Sequence, residues 1–457
     1  MRLPPGTVGV GLAAVLASAA IGLSGAATAA PNLSARAGVT CAKVWKSAPN
    51  GVARSAAAAD AFARKGFPRP SVSRRAFAAT ARLDRDGDGV VCGRRTSLPT
   101  TDSARACRLP RAGARSDVEI GFPRISSRLK SAGSVKMTVL FTDFADAPAT
   151  QSTEQVAATS VPGASAILAQ QSFGAFHLVP DLVPLWIRMP GSSSSYGLAD
   201  GFTFAEHRAY IQDAVRLADP SYDFSTTDLL VVIATPNATA IQSSPAFTAS
   251  PGGGVVADGR EMLNGVTLFA DYPNRKDANL AHEIGHTLGL VDLYAFGVPG
   301  GDPGLFAYTG YFDIMGNILG AAPELLAWDR WLVGWIGDSQ IACNPASGTS
   351  VELQSIGTSA GLKAVIVPVS ATEAVVAESR TATGLDGAAT KSGVLVYTVD
   401  TSLATGAGPI RIASLGASPP DLATAPLAPG EQITVHGVTI RVESATGGGH
   451  RVTVSHG

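Results

Sequence analysis

The chain has 457 residues, 46% hydrophobic and 16% charged, which excludes a wholly disordered protein. That length exceeds the ~100–200 residues of one ordinary domain and predicts several. Formal net charge is −1, yet residues 36–115 hold 17 Lys/Arg against 5 Asp/Glu, and residues 116–457 hold 17 against 31. The overall balance excludes a polyanion binder, and the scattered front arginines lack the aromatic interleaving of a nucleic-acid surface.

Residues 1–30 read as a secretory signal peptide. Arg2 precedes an apolar run from Val8 to Leu23, and Ala27-Thr28-Ala29 supplies small residues for cleavage near Ala29 or Ala30. The other reading, a membrane anchor, lacks a basic stop-transfer flank. No later stretch reaches ~18 apolar residues, so the expectation is a secreted chain with no stable membrane insertion. The four cysteines, Cys41, Cys92, Cys107 and Cys343, then default to bridges.

Residues 38–95 form a small basic unit. Asp84, Asp86 and Asp88 with Gly89 match the start of a calcium loop, in which Val90 would add its backbone carbonyl. Arg95 stands where an EF-hand has its bidentate Glu, which excludes a complete EF-hand. The plain alternative is an Asp/Gly surface turn that binds nothing. Residues 96–132 read as a linker, since 96–115 lack apolar periodicity.

Residues 133–341 mix strands and helices. VKMTVLFTDF and DLLVVIAT are β-rich runs between turn residues. Phe204 to Leu217 has helical apolar spacing. In AHEIGHTLGLVD, residues 281–292, His282 and His286 are four apart, so on a helix they face one metal ion. Glu283 beside them is placed to take a proton from a metal-bound water. Gly289 can end the helix with a positive φ and turn the chain back. Asp292 can then complete the site, or serve as a helix cap or as a carboxylate that orients a histidine. Glu324 is a rival third ligand.

Met315, in YFDIMG, either floors the histidines or fills core space. Tyr308 and Tyr311 are candidate oxyanion donors or packing residues. Pro323 to Trp335 reads as one core helix with Pro323 in its first turn. Residues 342–457 hold no convincing helix; KAVIVPV, AVVAES, GVLVYTVD, ITVHGVTIRVES and HRVTVS predict an all-β sandwich or barrel.

HEIGHTLGLVDLY, FDIMG and PELLAWDRWLVGW together resemble the immune inhibitor A-type family of secreted bacterial zinc metallopeptidases. VKMTVLFTDFADAPA and SFGAFHLVPDLVPLWIRMPGSSSSY look like that family's first strand and next sheet segment. The resemblance implies an α+β, metzincin-like catalytic domain over residues 133–341, often made as a latent precursor, followed by an all-β, sandwich-like domain. It implies Zn2+ on His282 and His286, Glu283 as general base and Met315 in a Met-turn. Metzincins at large have histidine where this chain has Asp292; a carboxylate is a normal zinc ligand. DRDGDGVVC, residues 84–92, resembles the Excalibur calcium-binding module of exported bacterial proteins, which implies Ca2+ and pairs Cys92 with Cys41. Cys107 and Cys343 then remain to pair across the peptidase region.

The expected function is a secreted zinc endopeptidase acting on protein or peptide substrates, with cell-surface association open. The alternatives are a non-catalytic surface-binding or adhesion protein that keeps the fold, and a metal-dependent hydrolase of a non-peptide bond, such as a cell-wall amidase.

Overall fold

The computed structural model describes residues 40–48, 50–64, 70–84, 87–93, 104–112, 117–199, 201–268, 275–297, 303–416 and 422–456. The signal-peptide segment, Asp86 and Arg95 lie outside these residues. The fold mixes helices with several sheets, and no helix among the described residues is long and apolar enough to cross a membrane.

The front unit holds helices α1 (Cys41–Ser47), α2 (Ala56–Arg64) and α3 (Arg74–Thr80) around a sheet of β1 (Val52–Ala53), β2 (Ser71–Val72) and β3 (Val90–Val91). Its apolar core is small, built on Val44, Val52, Val91 and a few alanines. A unit this size buries little surface. The Cys41–Cys92 disulfide closes it, and the Trp45 indole donates to the Cys92 carbonyl at 2.7 Å.

The central sheet runs β5 (Phe176–Arg188), β4 (Gly133–Asp143), β6 (Leu229–Ala234), β10 (Asn264–Leu268), β7 (Ala246–Thr248). The first four strands are parallel, and β7 is an antiparallel edge. Side chains alternate across a strand, so Val139, Phe141, Val231 and Ile233 face one core while Leu140, Leu230 and Val232 face another. The second core is capped by α6 (Phe204–Ala218), through Tyr210, Ile211 and Ala214. Thr203 and Glu206 form a capping box that starts this helix one residue after the threonine. The first core receives α5 (Val161–Gln171), α7 (Lys276–Thr287) and α8 (Ala327–Leu332).

α8 is shorter than its apolar pattern predicts. The backbone N–H groups of residues 324–328 are taken by Asp386, Gln171, Asp313, Glu378 and Tyr397, at 2.6–3.3 Å. With these donors satisfied from outside, Pro323 to Leu326 need no helical turn, and Leu326 is extended at ψ 152°. Gly334, at φ +82°, ends the segment.

Residues read above as a linker are partly core. Ala104, Cys107, Leu109, Ile120, Phe122 and Leu129 are buried in the main cluster. The Trp328 indole donates to the Ile120 carbonyl at 2.8 Å, and the Phe122 ring meets Trp328 edge-on and Trp331 at a tilt. The short apolar residues here come singly, without a period, because they plug gaps between elements formed elsewhere. Cys107 is bonded to Cys343.

From Ile341 the described regular elements are strands and 3-10 turns. One sheet orders β11 (Ile341–Cys343), β13 (Ala364–Pro368), β14 (Glu373–Arg380), β15 (Gly393–Asp400) and β16 (Ile410–Ala413). The other orders β12 (Thr349–Gln354), β19 (Gly449–Ser455), β18 (Val438–Thr446) and β17 (Gln432–Val435). The first sheet is covered on both faces: Ala364 and Ile366 join the main core, while Val365 and Val367 pack against the second sheet. Two covered faces explain the uninterrupted apolar run of β13. This packing fixes the β15–β16 connection against the residues after α7.

Candidate metal centre

α7 is a buried helix, and its last two turns carry the HExxH residues. His282 and Glu283 are buried, and His286 is half-buried at the helix end. Gly289 sits at φ +99°, a left-handed position suited to glycine, and reverses the chain. The reversal returns Asp292 to the histidines.

Each imidazole is oriented by a carbonyl. His282 Nδ1 lies 2.9 Å from the Ile314 oxygen and His286 Nδ1 lies 2.8 Å from the Leu290 oxygen. A carbonyl only accepts, so each Nδ1 carries the hydrogen and each Nε2 of a neutral ring presents a lone pair. The two Nε2 atoms are 3.2 Å apart. Asp292 Oδ1 lies 3.2 Å from His282 Nε2 and 3.1 Å from His286 Nε2. Asp292 Oδ1 is buried and accepts no hydrogen bond among the described residues.

With both rings neutral, three lone-pair atoms face one another in a nearly equilateral triangle. Tetrahedral zinc with bonds of ~2.0–2.1 Å sets its ligands about 3.3 Å apart, close to these edges. The donor set, two imidazoles and one carboxylate, suits that ion. The carboxylates also favour positive charge on the imidazoles. Burial alone would lower both imidazole pKa values, but Asp292 and Glu283 outweigh it, and that of His286 rises to about 10. Burial disfavours an ionised Asp292, yet the two imidazoles hold it well below the usual carboxylate range.

His282, Glu283 and His286 each bring a possible ligand atom within 4.8 Å of the others. Glu283 Oε1 is 3.9 Å from His282 Nε2, farther than Asp292. The nearer carboxylate completes the triangle, and Glu283 stands at its side. Glu324 is elsewhere: it is buried in an ion pair with Arg330.

Met315 lies beneath α7, fully buried, with its sulfur against Gly285. Asp313, at φ +68°, accepts from Met315 N at 2.8 Å and from Leu326 N at 2.7 Å, tying this turn to the start of α8. The same turn supplies the Ile314 carbonyl that orients His282. Tyr308 is buried under the Arg411 guanidinium, 4.7 Å from its ring centre, and Tyr311 is exposed.

Tyr294, which the sequence reading passed over, is nearer. Its ring stacks 6.1 Å from that of His282, and it lines a cavity of 320 Å³ with Glu283, His286 and Asp292. Ser243, Ser244 and Thr248, around edge strand β7, line the same cavity, as do Asp117 and Val118. Asp117 accepts a hydrogen bond from the Thr248 hydroxyl. Thr405, from the β15–β16 connection, completes the wall and hydrogen-bonds Asp292. The only signal in the sequence for these residues is the place of Tyr294, two positions after Asp292.

In the front unit, Asp84 Oδ2 accepts from Gly89 N at 3.1 Å and Asp88 Oδ1 from Val90 N at 2.9 Å. Gly87 and Gly89 are at φ +70° and +81°. Asp84 Oδ1 is buried without a hydrogen-bond partner among the described residues. Val90 belongs to β3.

Compared with known protein families and with curated proteins, the chain matches none.

Proposed function

We propose that the protein is a secreted, metzincin-like zinc endopeptidase. The observation that carries the reading is the triangle of His282 Nε2, His286 Nε2 and Asp292 Oδ1, with Glu283 beside it on the cavity wall. The two disulfides agree with an oxidising compartment.

His282, His286 and Asp292 would hold the ion. A zinc ion there would supply Lewis-acid polarisation of the scissile carbonyl and acidify the attacking water toward a pKa of ~7. Glu283 takes the proton of the attacking water and returns it to the leaving amine. Its near-complete burial keeps that carboxylate out of bulk solvent on the cavity wall. Tyr294, whose ring lies over His282 on the cavity wall, is the candidate donor to the substrate carbonyl oxygen. Among the described residues strand β7 pairs within the sheet only with β10, and an extended peptide would add to its other side, next to Ser243 and Ser244.

The test is direct. Chelator-stripped protein should take up one equivalent of zinc and then cleave casein, and chelation should stop cleavage. Zinc uptake without hydrolysis of casein or any protein substrate would favour the adhesion reading; hydrolysis of peptidoglycan alone would favour a cell-wall amidase. The front unit reads as a weak calcium module. Millimolar calcium should raise its thermal midpoint by mass action, and an Asp84→Ala chain should not respond.

A further inference from the structure

The third ligand is held by a residue 113 positions away. Asp292 N donates to Thr405 Oγ1 at 2.9 Å, and Thr405 Oγ1 lies 3.2 Å from Asp292 Oδ2, to which it donates. A hydroxyl has one hydrogen and two lone pairs. Here the hydrogen engages one carboxylate oxygen while a lone pair engages the backbone of the same residue. That closed pair of bonds fixes the rotation of the carboxylate. Oδ2 is turned to Thr405, and Oδ1 is left facing the two imidazoles.

The loop that brings Thr405 is itself built against the residues after α7. Gly406 N donates to the Asp292 carbonyl at 3.2 Å, and Phe296 N donates to the Gly406 carbonyl at 3.1 Å. Gly406, at φ +73°, lies so close to Phe296 that a Cβ there would be 2.5 Å from its ring. Ile412 N donates to the Tyr308 carbonyl at 2.9 Å, anchoring the far side of the loop. Strands β15 and β16, which frame it, belong to the sheet packed on the main core. The position of Thr405 is thus set by the β region together with the residues after α7, and not by α7 itself.

We infer that Thr405 is a positioning residue of the metal centre, through which the C-terminal β region sets metal affinity. The inference rests on the zinc reading above. A merely structural loop anchor would change stability when altered and leave affinity alone. Partners that orient metal ligands typically cost about 10–100-fold in affinity when removed.

The experiment measures zinc affinity of the full chain by competition with a chromogenic chelator. Thr405→Val, which keeps the shape and loses the hydroxyl, should bind zinc about 10–100-fold more weakly. Thr405→Ser should restore affinity to within about 3-fold of wild type, since it regains the same two bonds. Cobalt-loaded Thr405→Val should also show an altered visible spectrum, and the serine variant should not. Should the valine chain not fold, Thr405→Ala serves the same comparison. Wild-type affinity and spectrum in the valine or alanine chain would overturn the inference while leaving the zinc reading intact. A wild-type chain that binds neither zinc nor cobalt would remove both.

Discussion

Met315 occupies the space in which a side chain on Gly285 would begin: a Cβ at Gly285 would lie 2.4 Å from the Met315 sulfur. Glycine inside a helix costs about 1 kcal/mol relative to alanine, so its use needs a packing reason. The close approach supplies one, and it lets the turn that holds Ile314 reach His282. Gly285→Ala should gain that ~1 kcal/mol of helix propensity and lose about 1–3 kcal/mol to overpacking. The net effect is a loss of stability, because Met315 is fully enclosed. Pairing it with Met315→Ala should give a double variant more stable than the two single losses sum to, by about 0.5–3 kcal/mol. Additive losses in chemical denaturation would mean the two residues do not share the space.

Glu283 and His286 divide metal binding from proton transfer. Glu283→Gln should retain zinc and lose hydrolysis by at least about 100-fold, since the triangle is intact and the base is gone. His286→Ala should lose the metal. Zinc content by atomic absorption and casein turnover, measured on the same preparations, check both. Wild-type turnover in the glutamine variant would remove Glu283 from the mechanism.

Asp292 is the favoured third-ligand candidate and Glu324 its rival; Asp292 Oδ1 lies 3.1–3.2 Å from the imidazole nitrogens, whereas Glu324 pairs with Arg330. Asp292→Asn should weaken zinc by at least about tenfold. Glu324→Gln should leave the affinity of the folded chain unchanged. Its cost falls on stability, because it strips a buried partner from Arg330, a change of about 3–5 kcal/mol where nothing compensates. Arg380 opposes the Arg330 charge, and Asp386 and Glu378 favour it. Chelator competition and thermal unfolding read the two effects apart.

What the sequence disclosed was local. His282, Glu283, His286, Gly289 and Asp292 lie within eleven residues, and helical periodicity with one reversal brings them together. Strands β4 and β6 of the central sheet, and β13, β14, β15, β17, β18 and β19 of the β region, followed from short runs rich in Val, Ile and Thr between turns. The missed features depend on contacts between distant segments. Thr405 reaches Asp292 from another sheet, and Asp117 reaches Thr248 across 131 positions. The start of α8 was misplaced for a related reason. Its first N–H groups are met by Asp313, Gln171, Glu378, Asp386 and Tyr397, which no local pattern near Pro323 reveals.

Acid should weaken the fold through His207, on α6. His207 is buried between Phe202 and Phe247, and its Nε2 lies 2.9 Å from the Thr267 hydroxyl, which itself donates to the Pro245 carbonyl. The imidazole is therefore the donor, in its neutral form. Burial alone lowers its pKa from the ordinary 6.5 to about 4. Below pH 6.5 the unfolded chain takes a proton that the folded chain refuses, so stability falls with pH through this window. The loss levels off near pH 4, where the folded imidazole protonates too. At 1.36 kcal/mol per unit the window holds on the order of 3 kcal/mol. His207→Gln keeps an N–H donor and has nothing to titrate, so its stability should fall less between pH 6.5 and 4 than that of wild type. Denaturant titrations at half-unit steps measure the difference. Phe247 belongs to β7, so the wild-type loss should also show as faster amide exchange along that edge strand at pH 4.5 than in the glutamine chain, after correction for intrinsic rates. Parallel pH profiles in the two proteins would show that His207 is not the acid-sensitive group.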